Sequence, residues 1–178
     1  GVLFADMSLH IPDFRSSERT FNLITQVAGR SGRGEKKGIV YIQTYSPNHY
    51  SIECAKNHDY ISFYNSEIVK RKSPLNYPPF SRLVRLVIRG ENEKKVESDS
   101  NTIADLVRTL TYQYKDKLEV LGATPCIMSK LNKYYRWNVL IKTASHSLLK
   151  EFFEKLSNNF MVQKGNYIEI DIDPINML

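Results

Sequence analysis

Cysteine is scarce in this chain. Of 178 residues only Cys54 and Cys126 are cysteines, and neither has a CxxC partner or a histidine at zinc spacing. Neither has a visible base partner for nucleophilic chemistry. The reading is two reduced structural thiols, as cytosolic proteins keep them, and no metal set. No apolar run approaches the ~18 residues that would span a membrane. No charged-then-apolar secretory segment opens the chain, so no membrane partner is expected and the expected location is cytoplasmic. A GxxxxGK(S/T) phosphate loop is missing, as is an Asp-Glu pair for magnesium. The chain is therefore not expected to hydrolyse ATP by itself. No repeat or low-complexity segment is visible.

What is present reads as a folded, basic protein. Hydrophobic residues make up 42% and charged residues 25%, which argues against disorder. The length suits one ordinary domain or two small ones. The formal net charge is +6 and the pI about 9.2, which favours polyanionic partners through counterion release. Many basic domains are merely soluble, so charge alone leaves both readings open.

Hydrophobic periodicity divides the chain. Residues 2–6 predict a buried strand, Ser8 to Asp13 a loop, and about Arg15 to Gly29 a helix carrying Phe14, Phe21, Ile24 and Ala28 on one side. Ser16 or Ser17 is the predicted cap, with Glu18 in the first turn. Gly38 to Thr44 predicts a second strand, and about His49 to Lys72 a helical stretch broken near His58. Strand, helix, strand, helix is an α/β layer with a parallel sheet, yet too small for a whole domain. With a core-type strand already at Gly1, the expectation is a piece of a longer protein.

Prolines mark a boundary from Ser73-Pro74 to Tyr77-Pro78-Pro79. The division is thus 1–72, a linker over 73–80, and a second domain over 81–178. In that domain Ser81 to Arg89 predicts a strand, and Glu93 to Lys115 a helix with Val96, Ile103, Leu106, Val107, Leu110 and Tyr114 on one face. Leu118 to Leu121 predicts a short strand that extends or bends the next one. Cys126 to Leu131 and Tyr135 to Lys142 predict a hairpin. His146 to Phe160 predicts a helix with Leu149, Phe152, Phe153 and Leu156 inward, and Tyr167 to Asp173 a last strand. That order, β-α-β-β-α-β, is a ferredoxin-like α+β arrangement.

The sharpest motif is Gln26-Val27-Ala28-Gly29-Arg30-Ser31-Gly32-Arg33-Gly34. Arg19, Gln26 and Arg30 share one helix face, away from the apolar side, and Arg33 lies just past the helix end. The glycines let another surface approach. Forked guanidinium donors suit a phosphate, and in nucleotide hydrolysis such an arginine stabilises charge on the transferring group. The competing reading is a solvated basic helix end, favoured by the helix dipole.

This string resembles the last motif of superfamily-two helicases. Asp13 to Leu23, Gln43-Thr44-Tyr45, Tyr77-Pro78-Pro79-Phe80, Tyr135-Arg136-Trp137 and Asp171-Ile172-Asp173-Pro174 narrow the resemblance. Together they are similar to the bacterial primosomal replication-restart helicases, over almost the whole chain. Ser31 departs from the family, which usually has Ala there. The resemblance implies that residues 1–72 end a RecA-like second helicase lobe, with Gln26, Arg30 and Arg33 facing ATP held on the other lobe. It implies ATP and Mg2+ as cofactors of the complete protein, and Zn2+ in a cysteine-rich region upstream. The implied activity is 3′-to-5′ unwinding at stalled or branched forks, restarting replication by primosome assembly. The implied partners are branched and single-stranded DNA, the tail of single-stranded-DNA-binding protein, and other primosome proteins.

A second candidate site runs from Lys130 to Trp137, where cations interleave with aromatics at a hairpin turn. Lys130, Lys133, Tyr134 and Arg136 are the predicted DNA contacts, and Trp137 is predicted to pack inward. Lys142, His146 and Lys150 are the candidates for a cationic rim around an apolar pocket for the partner tail. Lys70-Arg71-Lys72 reads as a helix-end cap and Lys94-Lys95 as a solvated helix start. Glu169, Asp171 and Asp173 share a strand face, as a cation site or, more simply, a solvated edge. His10, His49, His58 and His146 form no set. The rival to a helicase portion is a stand-alone ferredoxin-like nucleic-acid-binding module with no ATPase role.

Overall fold

Thr20, Phe21, Ile24 and Val27 recur at helical spacing, and this stripe organises the first part of the chain. The computed structural model describes residues 1–2, 4–31, 38–113 and 117–177, in two compact units, Gly1–Leu75 and Asn76–Leu178. Among the described residues no helix is long and apolar enough to cross a membrane.

The first unit holds α1 (Asp6–Leu9), α2 (Ser16–Ser31), α3 (Tyr50–Lys56) and α4 (Tyr60–Lys72). α2 buries Thr20, Phe21 and Ile24, and Phe21 stacks on Phe63 of α4 with ring centroids 4.2 Å apart. Val2, Ala5, Ile52 and Ala55 close this core, with Val27 against it. Burying each large apolar side chain contributes about 1.5–3 kcal/mol. Asp13 ties down the start of α2: its carboxylate accepts the Arg15 amide at 2.9 Å and pairs with Arg19 at 3.0 Å. The helix continues through Gly29 to Ser31. His58, with φ of +52°, makes the expected break, and the Asp59 carboxylate then caps α4 by accepting the Ser62 amide at 2.9 Å.

The two strands predicted here reduce to one parallel bridge, Val2 with Ile42. Val2 donates to the Tyr41 carbonyl at 2.8 Å, and Gln43 donates back to Val2 at 2.9 Å. Asp6 already begins α1, within the stretch predicted as strand and loop. A lone pair of parallel strands buries too little to extend, and no third strand joins it among the described residues. Asp6 instead clamps the second segment, its carboxylate accepting the Thr44 hydroxyl at 3.0 Å and the Tyr45 amide at 2.9 Å. Burial pushes this carboxyl up, but the bonds from Tyr45, Thr44 and Ser46 outweigh it and hold the pKa below the ordinary value.

The end of α4 also differs from a simple dipole cap. Arg71 turns inward, its Nε 2.8 Å from Glu67 and its Nη2 2.7 Å from Glu18. The Tyr50 hydroxyl donates to the other Glu67 oxygen at 2.5 Å, and the Lys70 ammonium sits 3.5 Å from the Tyr50 ring centroid.

The second unit is an antiparallel sheet with two helices on one face. Its elements are β1 (Arg82–Gly90), α5 (Glu93–Gln113), β2 (Leu118–Leu131), β3 (Tyr134–Thr143), α6 (His146–Asn159) and β4 (Asn166–Ile172). The sheet order is β2-β3-β1-β4, all neighbours antiparallel. The β-α-β-β-α-β order read from the sequence is therefore the order that forms. Val84, Leu86 and Ile88 of β1 and Val139 and Ile141 of β3 face the helices, meeting Val96, Ile103, Ala104 and Val107 of α5 and Leu149, Phe152 and Leu156 of α6. Leu83, Arg85 and Val87 on the other face of β1 are buried as well, so β1 is the central strand on both sides. The side chain of Leu110 and all of Tyr114 lie outside the described residues.

The short strand expected at Leu118 to Leu121 and the first hairpin strand are one strand. β2 runs 14 residues through two register shifts, between Leu121 and Thr124 and between Pro125 and Lys130. Gly122 permits the first, because its φ is +93° and a Cβ there would meet the Asn138 carbonyl at 3.0 Å. Asn132, at φ of +56°, turns β2 into β3.

Candidate functional site

The helical stripe that buries Phe21 and Ile24 turns Gln26 and Arg30 to solvent. Both are exposed, and neither has a hydrogen-bond or ion-pair partner among the described residues. Arg19, the third residue of that face, is occupied by Asp13. Gly29 is exposed between them, and a Cβ there would meet nothing within 4 Å. The helix end thus offers an amide and a guanidinium that are both exposed and flank an exposed glycine. Arg33, with Gly32 and Gly34, lies outside the described residues.

In the second unit strand alternation sorts the hairpin residues by face. Tyr135 and Trp137 point to the helices and pack on the core, as predicted for Trp137. Tyr134 and Arg136 point to the opposite face, where both are partly exposed. Lys130 is paired with Tyr135 in register, so it belongs to the helix side, where its ammonium donates to the Tyr135 hydroxyl at 3.2 Å. The predicted quartet is therefore split between faces. Lys133 at the turn pairs with Glu91 at 2.6 Å and lies 5.3 Å from the Tyr134 ring centroid. The hydrogen bond and charge of Glu91 hold its ammonium above the ordinary pKa.

The register adds two residues that sequence reasoning missed. Arg136 lies opposite Arg89, and Arg89 lies opposite Tyr167. The Arg89 guanidinium is 5.3 Å from the Tyr134 ring centroid and 5.5 Å from that of Tyr167. The two tyrosines meet edge to face at 6.3 Å. Glu169 pairs with Arg89 at 2.6 Å, and Arg136 has no ion-pair partner among the described residues. Two arginines directly opposed repel unless an anion lies near; Glu169 answers Arg89, which leaves Arg136 as the cation of this row that can take a further anion, beside an aromatic edge. The signal was period-two alternation in β1 and β4, but only strand order makes those positions neighbours.

Of the acidic strand residues Glu169, Asp171 and Asp173, Glu169 pairs with Arg89 and Asp173 with Arg82 at 2.6 Å, while Asp171 has no ion pair among the described residues. Among the described residues no group of three or more His, Cys, Asp or Glu is placed to hold a metal ion. The rim predicted from Lys142, His146 and Lys150 does not assemble. Lys142 is 5% exposed, pairs with Glu119 at 2.7 Å and sits 4.8 Å from the Tyr77 ring centroid, on the sheet face opposite α6. Strand alternation sends it there, whereas His146 and Lys150 are exposed on α6.

The family model for the primosomal protein N C-terminal domain matches residues 73–175. Relatives named replication restart protein PriA align along the whole chain. The protein of Treponema pallidum is 37% identical over 178 residues, covering 100% of this chain and 26% of that protein. That of Borreliella burgdorferi is 36% identical over 178 residues with the same coverages, 100% and 26%. That of Bacillus subtilis is 38% identical over 181 residues, covering 100% of this chain and 22% of the relative. The chain spans about a quarter of the length of these curated relatives. The matched segment begins at the prolines and takes in every strand of the antiparallel sheet, and on that match the chain belongs to the primosomal protein N C-terminal domain family.

Proposed function

We propose that this chain is the C-terminal portion of an ATP-dependent 3′-to-5′ DNA helicase that recognises stalled or branched forks and restarts replication by primosome assembly. In this reading residues 1–72 end a RecA-like lobe, 73–80 link, and 81–178 form a ferredoxin-like DNA- and partner-binding domain. The observation that carries it is the presence, in one family member, of a solvent-facing Gln26 and Arg30 in the first unit and of a sheet face bearing Tyr134 and Arg136 in the second.

The fit to ATP rests on Gln26 and Arg30, exposed beside Gly29 and without a hydrogen-bond or ion-pair partner among the described residues. These residues and Arg33 would contact the nucleotide held, with Mg2+, by a lobe outside this chain. ATP supplies a phosphoryl group for transfer to water when bound. The arginines hold positive charge where negative charge develops, and Gln26 orients by hydrogen bonding. Zn2+ belongs, in the same proposal, to a cysteine-rich region upstream, since Cys54 and Cys126 join no group of possible metal ligands among the described residues. A cytoplasmic location goes with a replication protein, as do the tail of single-stranded-DNA-binding protein and other primosome proteins as partners. His146 and Lys150 remain the cations proposed for that tail.

The test uses the full-length helicase. Arg30→Ala and Arg33→Ala are expected to lower ATP turnover by about 10³-fold or more while DNA binding survives. Unchanged turnover in both would remove the motif from the ATP site. In the 178-residue chain, Arg136→Glu should weaken DNA binding and flatten its salt dependence.

A further inference from the structure

Beside the two tyrosines the second unit has a cleft of about 300 Å³, lined among others by Glu91, Asn92, Lys95, Tyr134, Lys164 and Tyr167. That is the lower end of the size of small-ligand clefts. Its chemistry is mixed. Tyr167 is 52% exposed and Tyr134 half-buried, so aromatic surface is open to a flat partner. Lys95 and Lys164 are exposed and have no ion pair among the described residues. The two carboxylates nearby are already neutralised, Glu91 by Lys133 and Glu169 by Arg89.

The wall carrying Lys164 is fixed from beneath. Asp99, 4% exposed, accepts the Gln163 amide at 3.0 Å, the Gln163 side chain at 3.0 Å and the Asn166 side chain at 2.7 Å. Gly165, with φ of +95°, lets the chain turn between those anchors. Lys164 is thus displayed by a turn whose ends are tied to α5. Cations alone would suit any acidic chain. Cations flanking two open aromatic rings suit a polyanion that also carries flat unstacked groups, which is single-stranded nucleic acid.

We propose that Tyr134, Tyr167 and Arg89, with Lys95 and Lys164 across the cleft, form a subsite for one unpaired nucleotide of a single DNA strand. The base stacks on the exposed Tyr167 ring beside Arg89, with Tyr134 edge-on to that ring, and the flanking phosphates lie toward the two lysines. The strand then runs across β3, β1 and β4 at the sheet end, not along the hairpin alone. This rests on the DNA-binding reading above and adds to it a location and a nucleotide-by-nucleotide recognition mode.

The experiment measures binding of the 178-residue chain to a labelled oligothymidylate of about 15 nucleotides and to the same strand made abasic. The unsubstituted chain should prefer the strand with bases. Tyr167→Ala should weaken oligothymidylate binding about 5- to 150-fold and shrink that preference. Tyr167→Phe should restore both, showing that the ring and not the fold is at issue. Lys164→Glu should lower affinity for both strands and flatten the salt dependence. If the unsubstituted chain binds neither strand, the DNA-binding reading fails and the subsite with it. If it binds, and Arg136→Glu weakens binding while Tyr167→Ala and Lys164→Glu do not, the subsite is overturned and the broader reading stands.

Discussion

The side-chain oxygen of Asn166 lies so close over Gly90 that a Cβ on Gly90 would sit 2.0 Å from it. Asn166 cannot swing away cheaply, because its amide is held by the buried Asp99 at 2.7 Å. The same Cβ would also meet a Val96 methyl at 3.0 Å. Gly90→Ala is therefore expected to destabilise the second unit by about 1–3 kcal/mol, the usual cost of overpacking. It should also disturb the turn that displays Lys164. Chemical unfolding read through Trp137 fluorescence checks this, and an unshifted midpoint would show that Asn166 yields freely.

Glu67 joins three partners in the first unit: Tyr50, Arg71 and, through Arg71, Glu18. Burial first, and then the hydrogen bond to Glu67, push the Tyr50 phenol above its ordinary pKa. Removing the charge of Glu67 leaves Arg71, largely buried, with only its exposed partner. Glu67→Gln should cost about 1.5–3 kcal/mol, the range for hydrogen bonds to charged groups. Equal denaturant midpoints for the two proteins would mean the trio contributes nothing.

His49 caps α3 as an acceptor, taking the Ser51 hydroxyl at 2.8 Å and the Ser51 amide at 3.3 Å on Nδ1. Burial and the charge of Lys70 depress its pKa below 6.5. The folded state therefore binds this proton less readily than the unfolded chain. The contribution is full above about pH 6.5 and is lost as pH falls through the folded pKa. The first unit should lose stability over that interval. His49→Asn keeps a capping acceptor but cannot titrate, so it should flatten the profile. Thermal midpoints followed from pH 7.5 to about 5 decide it, and parallel profiles for both proteins would exclude His49.

Local pattern carried the helices and most of the strands. Phe21 and Ile24, and Leu149 and Phe152, are set by spacing along the chain and appear where spacing puts them, whereas β1, read as an alternating strand, is buried on both faces. Elements that depend on neighbours are where expectation and structure part. Residues 38–44 have strand composition, yet with one partner segment they form only a bridge. The short strand before Pro125, expected to extend or bend the next one, runs on into it with two register shifts, because β3 offers a long pairing edge to β2.

The sequence by itself determined which residues are chemically able to act: a glycine-flanked Gln26 and Arg30, a hairpin of cations and tyrosines, and a family resemblance spread along the chain. Tertiary structure alone decided which of them meet. Residues 89, 134 and 167 are scattered in sequence, and only the order β3-β1-β4 brings their side chains onto one face. The same alternation carries Lys130 and Lys142 away from partners that lie near them along the chain. A period of two fixes the faces of a strand, but which face is core, and which strand lies alongside, follows from packing of the whole sheet against its helices.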